Sequence, residues 1–297
     1  MPQVTANGIA LHYEEHGDSS DPAMLLIMGF GAQLTLWPDE LVEQLAAQGF
    51  RVIRYDNRDI GLSQKFDGVK APGLIKLTVL NKLGLTPRVP YTLADMAADG
   101  VGLLDALGIE QAHIVGASMG GMIAQHIAAK YPQRCLSFTQ IFSTTGNPGL
   151  PAAKKEALRA LVTRPKSSAE DALVEHGIML ARTIGSPDYP SSEERLRGRS
   201  LAGIRRSYYP EGPTRHLSAI VADGDRREMI RTIAVPTLVL HGEDDPLVPC
   251  DGGRDTAACI PGARLKTIPG WGHDLPLELV ETLAREIASH ASESGAS

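Results

Sequence analysis

Gly116-Ala117-Ser118-Met119-Gly120-Gly121 separates two stretches of different period. Ahead of it, His113–Gly116 is a short apolar run, as expected of a strand buried on both faces; behind it, Met119–Lys130 is a strongly apolar helical pattern. A serine hydroxyl is a poor nucleophile and must be held exposed beside a base. A sharp strand-to-helix turn does this, but it strains the backbone and crowds neighbouring chain, so small residues are needed on both sides. The helix start also brings unpaired N–H donors and partial positive charge to the place where an oxyanion would form. GxSxG alone arises by chance in about one chain of this size in five. Its position between strand and helix is what gives it weight.

The alternation extends outward on both sides. Gln3–Thr5 and Ile9–Glu15 read as strands joined by an Asn7-Gly8 turn, and Ala23–Met28 and Phe50–Tyr55 as buried strands. Between the last two lies a helix, Pro38–Gln48, with Leu41, Leu45 and Ala46 on one stripe and Gly49 as its stop. Thr92–Leu107 has helical spacing and is closed by Gly108. Phe138–Phe142, Thr237–His241 and Arg264–Ile268 complete the strands, and Leu277–His290 is the last helix. Strand–helix alternation of this kind predicts an α/β fold: a mostly parallel eight-stranded sheet with helices on both faces. Asn147–Val235 is helical, charged and turn-rich with no buried strand, so it is expected to be a helical insertion lying over the sheet. The core domain is then residues 1–146 and 236–297, with 147–235 inserted. Gly73–Leu85 is a second candidate cover, and the six residues after Ala291 read as a frayed tail.

A serine nucleophile needs an imidazole and a group to orient it. Of nine histidines, His273 has the best context: it ends the glycine-rich Pro269-Gly270-Trp271-Gly272-His273 directly after the last strand. His113, on the strand entering the turn, and His126, on the helix leaving it, read as packing residues. His12 and His16 share a strand, about 13 Å apart, which is too far for one metal ion. The orienting acid belongs at a strand end between Ser118 and His273. Ser143-Thr144-Thr145-Gly146-Asn147-Pro148 holds no carboxylate, whereas Gly242-Glu243-Asp244-Asp245-Pro246 holds three, and the turn-forming Pro246 favours Asp245. Met28-Gly29-Phe30-Gly31 follows the first buried strand and is a candidate oxyanion loop. The expected donors are the backbone N–H groups of Phe30 and Met119.

The chain has 297 residues, 43% of them hydrophobic and 22% charged, enough for a sizeable core. A net charge of −6 argues against an electrostatic nucleic-acid surface. No apolar run is long enough to span a bilayer and no basic-then-apolar leader is seen. Three cysteines, Cys135, Cys250 and Cys259, without CxxC spacing point to a reducing cytoplasm and away from a disulfide framework or zinc site. Neither GxGxxG nor a phosphate loop is present, so nucleotide use is not expected.

These pieces together resemble an α/β-hydrolase-fold protein over nearly the whole chain. The resemblance is carried by Met28-Gly29-Phe30-Gly31, Tyr55-Asp56-Asn57-Arg58-Asp59-Ile60-Gly61, the Ser118 turn, Gly242-Glu243-Asp244-Asp245-Pro246-Leu247-Val248-Pro249 and Gly270-Trp271-Gly272-His273-Asp274-Leu275-Pro276. Within that superfamily the chain is most similar to the aclacinomycin methylesterase-like esterases. Many relatives have His-Gly at the oxyanion loop and Asp-x-Arg-Gly-x-Gly after the next strand. Met28-Gly29 and Asp56-Asn57-Arg58-Asp59-Ile60-Gly61, with Leu36-Trp37-Pro38-Asp39-Glu40, fit the methylesterase-like group. The resemblance implies a triad of Ser118, Asp245 and His273, a helical cap after the sixth strand, and Asp56 and Arg58 pairing charges beneath the site. The expected activity is cofactor- and metal-independent hydrolysis of a small-molecule carboxylic ester. Lactone hydrolysis, C–C hydrolysis, perhydrolysis and acyl transfer share the triad and stay open, as does a non-catalytic ligand-binding role. Both monomers and homodimers occur among relatives. In the insertion, Leu150, Leu158, Leu161, Leu173, Ile178, Met179 and Leu180 line a pocket or form the insertion's own core.

Overall fold

The computed structural model describes residues 2–73, 77, 79–80 and 87–295. Its strands are β1 (Gln3–Ala6), β2 (Ile9–His16), β3 (Ala23–Ile27), β4 (Arg51–Tyr55), β5 (Ala112–Ala117), β6 (Cys135–Ile141), β7 (Thr237–Gly242) and β8 (Arg264–Ile268). They form one sheet in the order β1-β2-β4-β3-β5-β6-β7-β8. β2 runs antiparallel to both neighbours and every other pairing is parallel. At the β1–β2 turn Asn7 and Gly8 take φ of 48° and 77°, the left-handed pair that a tight hairpin of right-twisted strands needs.

The helices with described bounds are α1 (Asp39–Ala47), α2 (Leu93–Ala106), α3 (Met119–Lys130), α4 (Lys155–Val162), α5 (Glu170–Ile184), α6 (Glu193–Arg206), α7 (Gly212–Asp223), α8 (Arg227–Ile230), α9 (Asp251–Cys259) and α10 (Leu277–Gly295). Strand alternation divides the core between two layers. Ala23, Leu25 and Ile27 of β3 pack with α2 and α3, while Met24 and Leu26 pack with Leu41 and Leu45 of α1 and Leu279, Leu283 and Ile287 of α10. α2 starts at a capping box, in which Thr92 Oγ1 accepts from Asp95 N and the Asp95 carboxylate accepts from Thr92 N.

Helices α4 to α8 follow one another between β6 and β7. They have a small cluster of their own, Val174, Ile178 and Leu196. Leu158 and Met179 lie exposed and line no core. Three features differ from the sequence expectation. β6 starts at Cys135, three residues early; α9 is an additional helix between β7 and β8; and α10 continues through Ser292–Gly295 where a frayed tail was expected. In this last turn Ser294 Oγ donates to the His290 carbonyl and Arg264 pairs with Glu293 at 3.2 Å. Most of Gly73–Leu85 lies outside the described residues. Among the described residues no helix is long and apolar enough to cross a membrane, and no three His, Cys, Asp or Glu side chains are grouped to hold a metal ion.

Candidate active site

Ser118 stands between β5 and α3 with φ 55° and ψ −121°, a strained conformation for a residue with a side chain. Its N–H donates to the Ile141 carbonyl of β6 at 2.9 Å, and its own carbonyl accepts from Gly121 N at 2.9 Å. The turn is this tight because its glycines leave no room for more. A Cβ on Gly120 would run into the Ile27 carbonyl of β3, and one on Gly116 into the Gly120 carbonyl.

His273 reaches the same point from the loop after β8. Its Nε2 lies 3.0 Å from Ser118 Oγ and its Nδ1 2.6 Å from Asp245 Oδ2. The loop after β7 places the three carboxylates differently. Asp245, buried, uses Oδ1 to accept from Leu247 N and Val248 N, both at 2.8 Å, which leaves Oδ2 for the imidazole. Asp244 accepts from Gly270 N at 2.8 Å and so fastens the backbone of the histidine loop. Glu243 accepts from Thr267 Oγ1. His241 adjoins Asp245 Oδ2 at 3.7 Å, but its Nε2 donates to the Val248 carbonyl and burial lowers its pKa. Phe142 packs on the His273 ring with centroids 4.6 Å apart.

The Met28-Gly29-Phe30-Gly31 loop lies against the serine: a Cβ on Gly29 would sit 3.0 Å from Ser118 Cβ. Met119 is the first residue of α3, so its N–H has no acceptor within the helix. The two packing histidines do pack. His113 Nδ1 meets Ser137 Oγ at 2.8 Å with its pKa pushed down to about 4 by burial, and His126 Nε2 pairs with Asp223 at 2.9 Å.

A family model described as the alpha/beta hydrolase fold matches residues 22–278. The chain belongs to the α/β-hydrolase family. Rhodomycin D methylesterase DauP of Streptomyces sp. (strain C5) is 30% identical, over 97% of this chain and 96% of the relative. A thermophilic esterase from Thermogutta terrifontis, solved with malate bound, is 25% identical with a TM-score of 0.73, covering 99% of this chain and 98% of that one. A meta-cleavage product hydrolase from Pseudomonas fluorescens IP01 shares the fold, with a TM-score of 0.78 at 21% identity over 99% and 98% of the two chains.

In this α/β-hydrolase the charges of the Asp56–Asp59 stretch are paired with α2, α6 and α7. Arg58 makes a twofold bond to buried Asp99, at 2.6 and 2.7 Å. Asp56 pairs with Arg206 of α6 at 2.8 Å, and Asp59 with Arg215 of α7 at 2.7 and 2.9 Å. The helices above the sheet are therefore bonded to a loop of the sheet. They also meet the histidine loop: His273 N donates to the Ile184 carbonyl at 2.8 Å, and Gly272 N to Ser186 Oγ at 2.9 Å. Ser186 Oγ in turn donates at 2.5 Å to Asp274, whose carboxyl burial raises above the usual range. Arg206, Arg215 and Ser186 carry no motif and went unmarked in the sequence, and Asp274 was marked only as part of the Gly270–Pro276 motif.

Proposed function

We propose that this chain is a serine hydrolase of small-molecule carboxylic esters, with Ser118 as nucleophile, His273 as base and Asp245 as the acid orienting the imidazole. One observation carries the reading: the unbroken line Ser118 Oγ to His273 Nε2 at 3.0 Å and His273 Nδ1 to Asp245 Oδ2 at 2.6 Å. A hydrogen bond to Asp245 keeps the proton on Nδ1 and the lone pair on Nε2, where it faces the serine. Ser118 Oγ then attacks the ester carbonyl as Nε2 takes its proton. The carbonyl oxygen becomes an oxyanion bound by the N–H groups of Phe30 and Met119. The tetrahedral intermediate collapses, and the alcohol leaves with the proton held by His273. Water, deprotonated by the same imidazole, attacks the acyl-enzyme and releases the acid and free Ser118. A relative named as a methylesterase supports an ester as substrate.

Residues 147–235 form the cap in this reading and enclose the ester over the core of 1–146 and 236–297. Their bonds to the histidine loop at Ile184 and Ser186 support it. Three unbridged thiols, Cys135, Cys250 and Cys259, support a cytoplasmic location.

The test is hydrolysis of p-nitrophenyl esters from acetate to decanoate by wild type and Ser118→Ala side by side. The variant is expected to lose about 10⁴–10⁶ in kcat. Activity that survives the substitution, or a wild type that neither turns over esters nor takes a fluorophosphonate label on Ser118, overturns the reading.

A further inference from the structure

The loop carrying Phe30 is tied to the sheet only at its ends. Asn57 Nδ2 donates to the Met28 carbonyl and Leu34 N to Asp56 Oδ1, each at 2.8 Å. Between them, Ala32 N meets the Gly29 carbonyl at a long 3.4 Å. The insertion holds the rest of the loop at two points: Gln33 Nε2 donates to the Gly203 and Ser207 carbonyls at 2.7 and 2.9 Å, and α7 meets the loop at Gly31, next to Phe30. Gly31 N donates to His216 Nδ1 at 3.3 Å, and His216 Nε2 donates to the Arg58 carbonyl at 2.8 Å. The second bond fixes the tautomer, because a proton on Nε2 leaves Nδ1 as the acceptor that Gly31 needs. The His216 ring is fully buried and meets Phe30 edge-on, with centroids 6.4 Å apart.

α7 is itself fastened. Arg215, next to His216, bonds to Asp59, and a Cβ on Gly212 would run into the Asp59 carbonyl. Pro213 covers Gly31, which takes φ 65° and has room for a Cβ only 3.3 Å from the proline ring. Burial pushes His216 down to about 4, so the ring keeps the Nδ1 lone pair throughout the neutral range.

We infer that His216 is a positioning residue for the oxyanion site, holding the Phe30–Gly31 peptide so that the Phe30 N–H faces the oxygen of the ester attacked by Ser118. The peptide planes on either side of Phe30 meet at its Cα. Fixing the Gly31 N–H therefore sets one plane, and wedging the Phe30 side chain against the imidazole limits the rotation of the other. Without the acceptor, the Gly29–Ala32 segment is free to turn about its glycines, and the donor is lost from the geometry that the transition state requires. The inference rests on the serine esterase reading. It assigns the insertion a part in the chemical step itself, through a residue that touches neither the ester nor the triad.

The test compares wild type, His216→Phe, His216→Leu and His216→Asn on p-nitrophenyl butyrate, with active sites counted by fluorophosphonate labelling. A trifluoromethyl ketone inhibitor, which adds to the serine as a tetrahedral oxyanion, reads the oxyanion site separately from substrate binding. The apolar variants are expected to lose about 10- to 100-fold in kcat per labelled site, with KM within about twofold. Their inhibition constant for the ketone should rise by a matching factor. His216→Asn, whose Oδ1 can take the place of Nδ1, should recover most of both. The leucine variant is included so that a folding failure of the phenylalanine variant leaves the comparison intact. A purely structural histidine would change the number of labelled sites and leave kcat per site and ketone affinity at wild-type values, and that result overturns the proposal. A wild type without turnover or labelling overturns the esterase reading as well, so the two failures appear in different proteins.

Discussion

The sheet and the helices between β6 and β7 are held by the same forces in different proportion. Around the sheet, two continuous apolar layers enclose β3, β5, α1, α3 and α10, with Leu25, Leu26, Ile27 and Ile114 shut off from solvent. The helices between β6 and β7 bury only Val174, Ile178 and Leu196 in a cluster of their own. They reach the sheet through Ala219 and Ile230, which join the apolar layer of α2 and α3, and through arginines that are buried or nearly so: Arg206 to Asp56, Arg215 to Asp59, and Arg226 to Gln125 at 2.7 Å and the Thr144 carbonyl at 2.7 Å. Apolar packing yields by degrees, since a lost methylene leaves a small cavity that neighbours partly fill. A buried ion pair yields all at once, because removing one partner strands a desolvated charge on the other. The proposed site is thus carried by the continuous apolar layers, and the helices between β6 and β7 are docked in part by contacts that fail discretely.

The largest expected effects belong to the sheet side and separate two adjacent carboxylates. Asp245→Asn should lower kcat by about 10⁴ with the fold intact, because an amide favours the wrong imidazole tautomer. Asp244→Asn keeps an acceptor for Gly270 N and should lose about tenfold or less. Steady-state ester hydrolysis on both variants decides it, and the reverse order would mean that Asp244, not Asp245, orients His273.

On the other side, Arg215→Met leaves Asp59 fully buried and without its cation. Urea unfolding should show a loss of about 3–5 kcal/mol. Hydrogen exchange should quicken across 147–235 before it does in β3 to β7, and Asp59→Asn added to Arg215→Met should return part of the loss. Uniform acceleration over sheet and insertion would show that the two regions unfold as one, and the contrast between them would fail.

Acid titration loads both regions together. Burial pushes His113, on β5, and His216, in α7, to about 4, against about 6.5 for a free imidazole. Above about 6.5 neither ring is protonated, folded or unfolded. As pH falls from there to about 4, the unfolded chain takes up protons that the folded chain refuses, so stability falls in that window. Asp59 behaves oppositely. Burial alone would raise it, but Arg215, Tyr91 and the Phe66 N–H hold it below the usual carboxylate range, so its stabilisation is lost only in stronger acid. The urea midpoint should drop between pH 7 and pH 5, and His113→Asn should reduce that drop. An unchanged slope in the variant would mean that His113 takes no part in the loss.

The sheet side was legible in the sequence because its causes are local. Runs such as Ala23–Ile27 and spacings such as those of α2 report a period, and the glycines around Ser118 report a crowded turn. His273 was legible for the same reason, and Pro246 with the family pattern favoured Asp245; the structure adds the directions of the two carboxylates, Asp245 toward His273 and Asp244 toward Gly270 N. α9 was hidden by Gly252-Gly253, which reads as a helix breaker. A Cβ on Gly253 would sit 2.5 Å from His241 Nδ1, so the pair serves close packing of a helix on β7. The docking arginines and His216 had no signal at all, since their partners on the sheet side lie 82 to 185 residues away and ion pairing imposes no period on the chain.

Arg205 and Arg206 show this at the finest scale, and they supply the smallest contrast to measure. They are neighbours on α6, identical in sequence terms, and about 100° apart around the helix. Arg205 points outward, 64% exposed, to a half-exposed Glu170, while Arg206 points inward, 14% exposed, to an Asp56 with no exposure. Asp56 keeps Leu34 N and Leu62 N as donors when Arg206 is lost, and Asp59 keeps Phe66 N and the Tyr91 hydroxyl when Arg215 is lost. The two sites therefore differ in the arginine itself: Arg206 is 14% exposed and Arg215 only 3%. Arg206→Met should therefore cost about 1.5–3 kcal/mol in urea unfolding, less than Arg215→Met. Arg205→Met should leave the midpoint unchanged, because an exposed pair exchanges one well-solvated state for another. Equal losses from the two would mean that burial of Asp56 contributes nothing to the strength of the contact. The insertion would then be held by the helix as a whole, and its docking would yield by degrees, as the apolar layers of the sheet do.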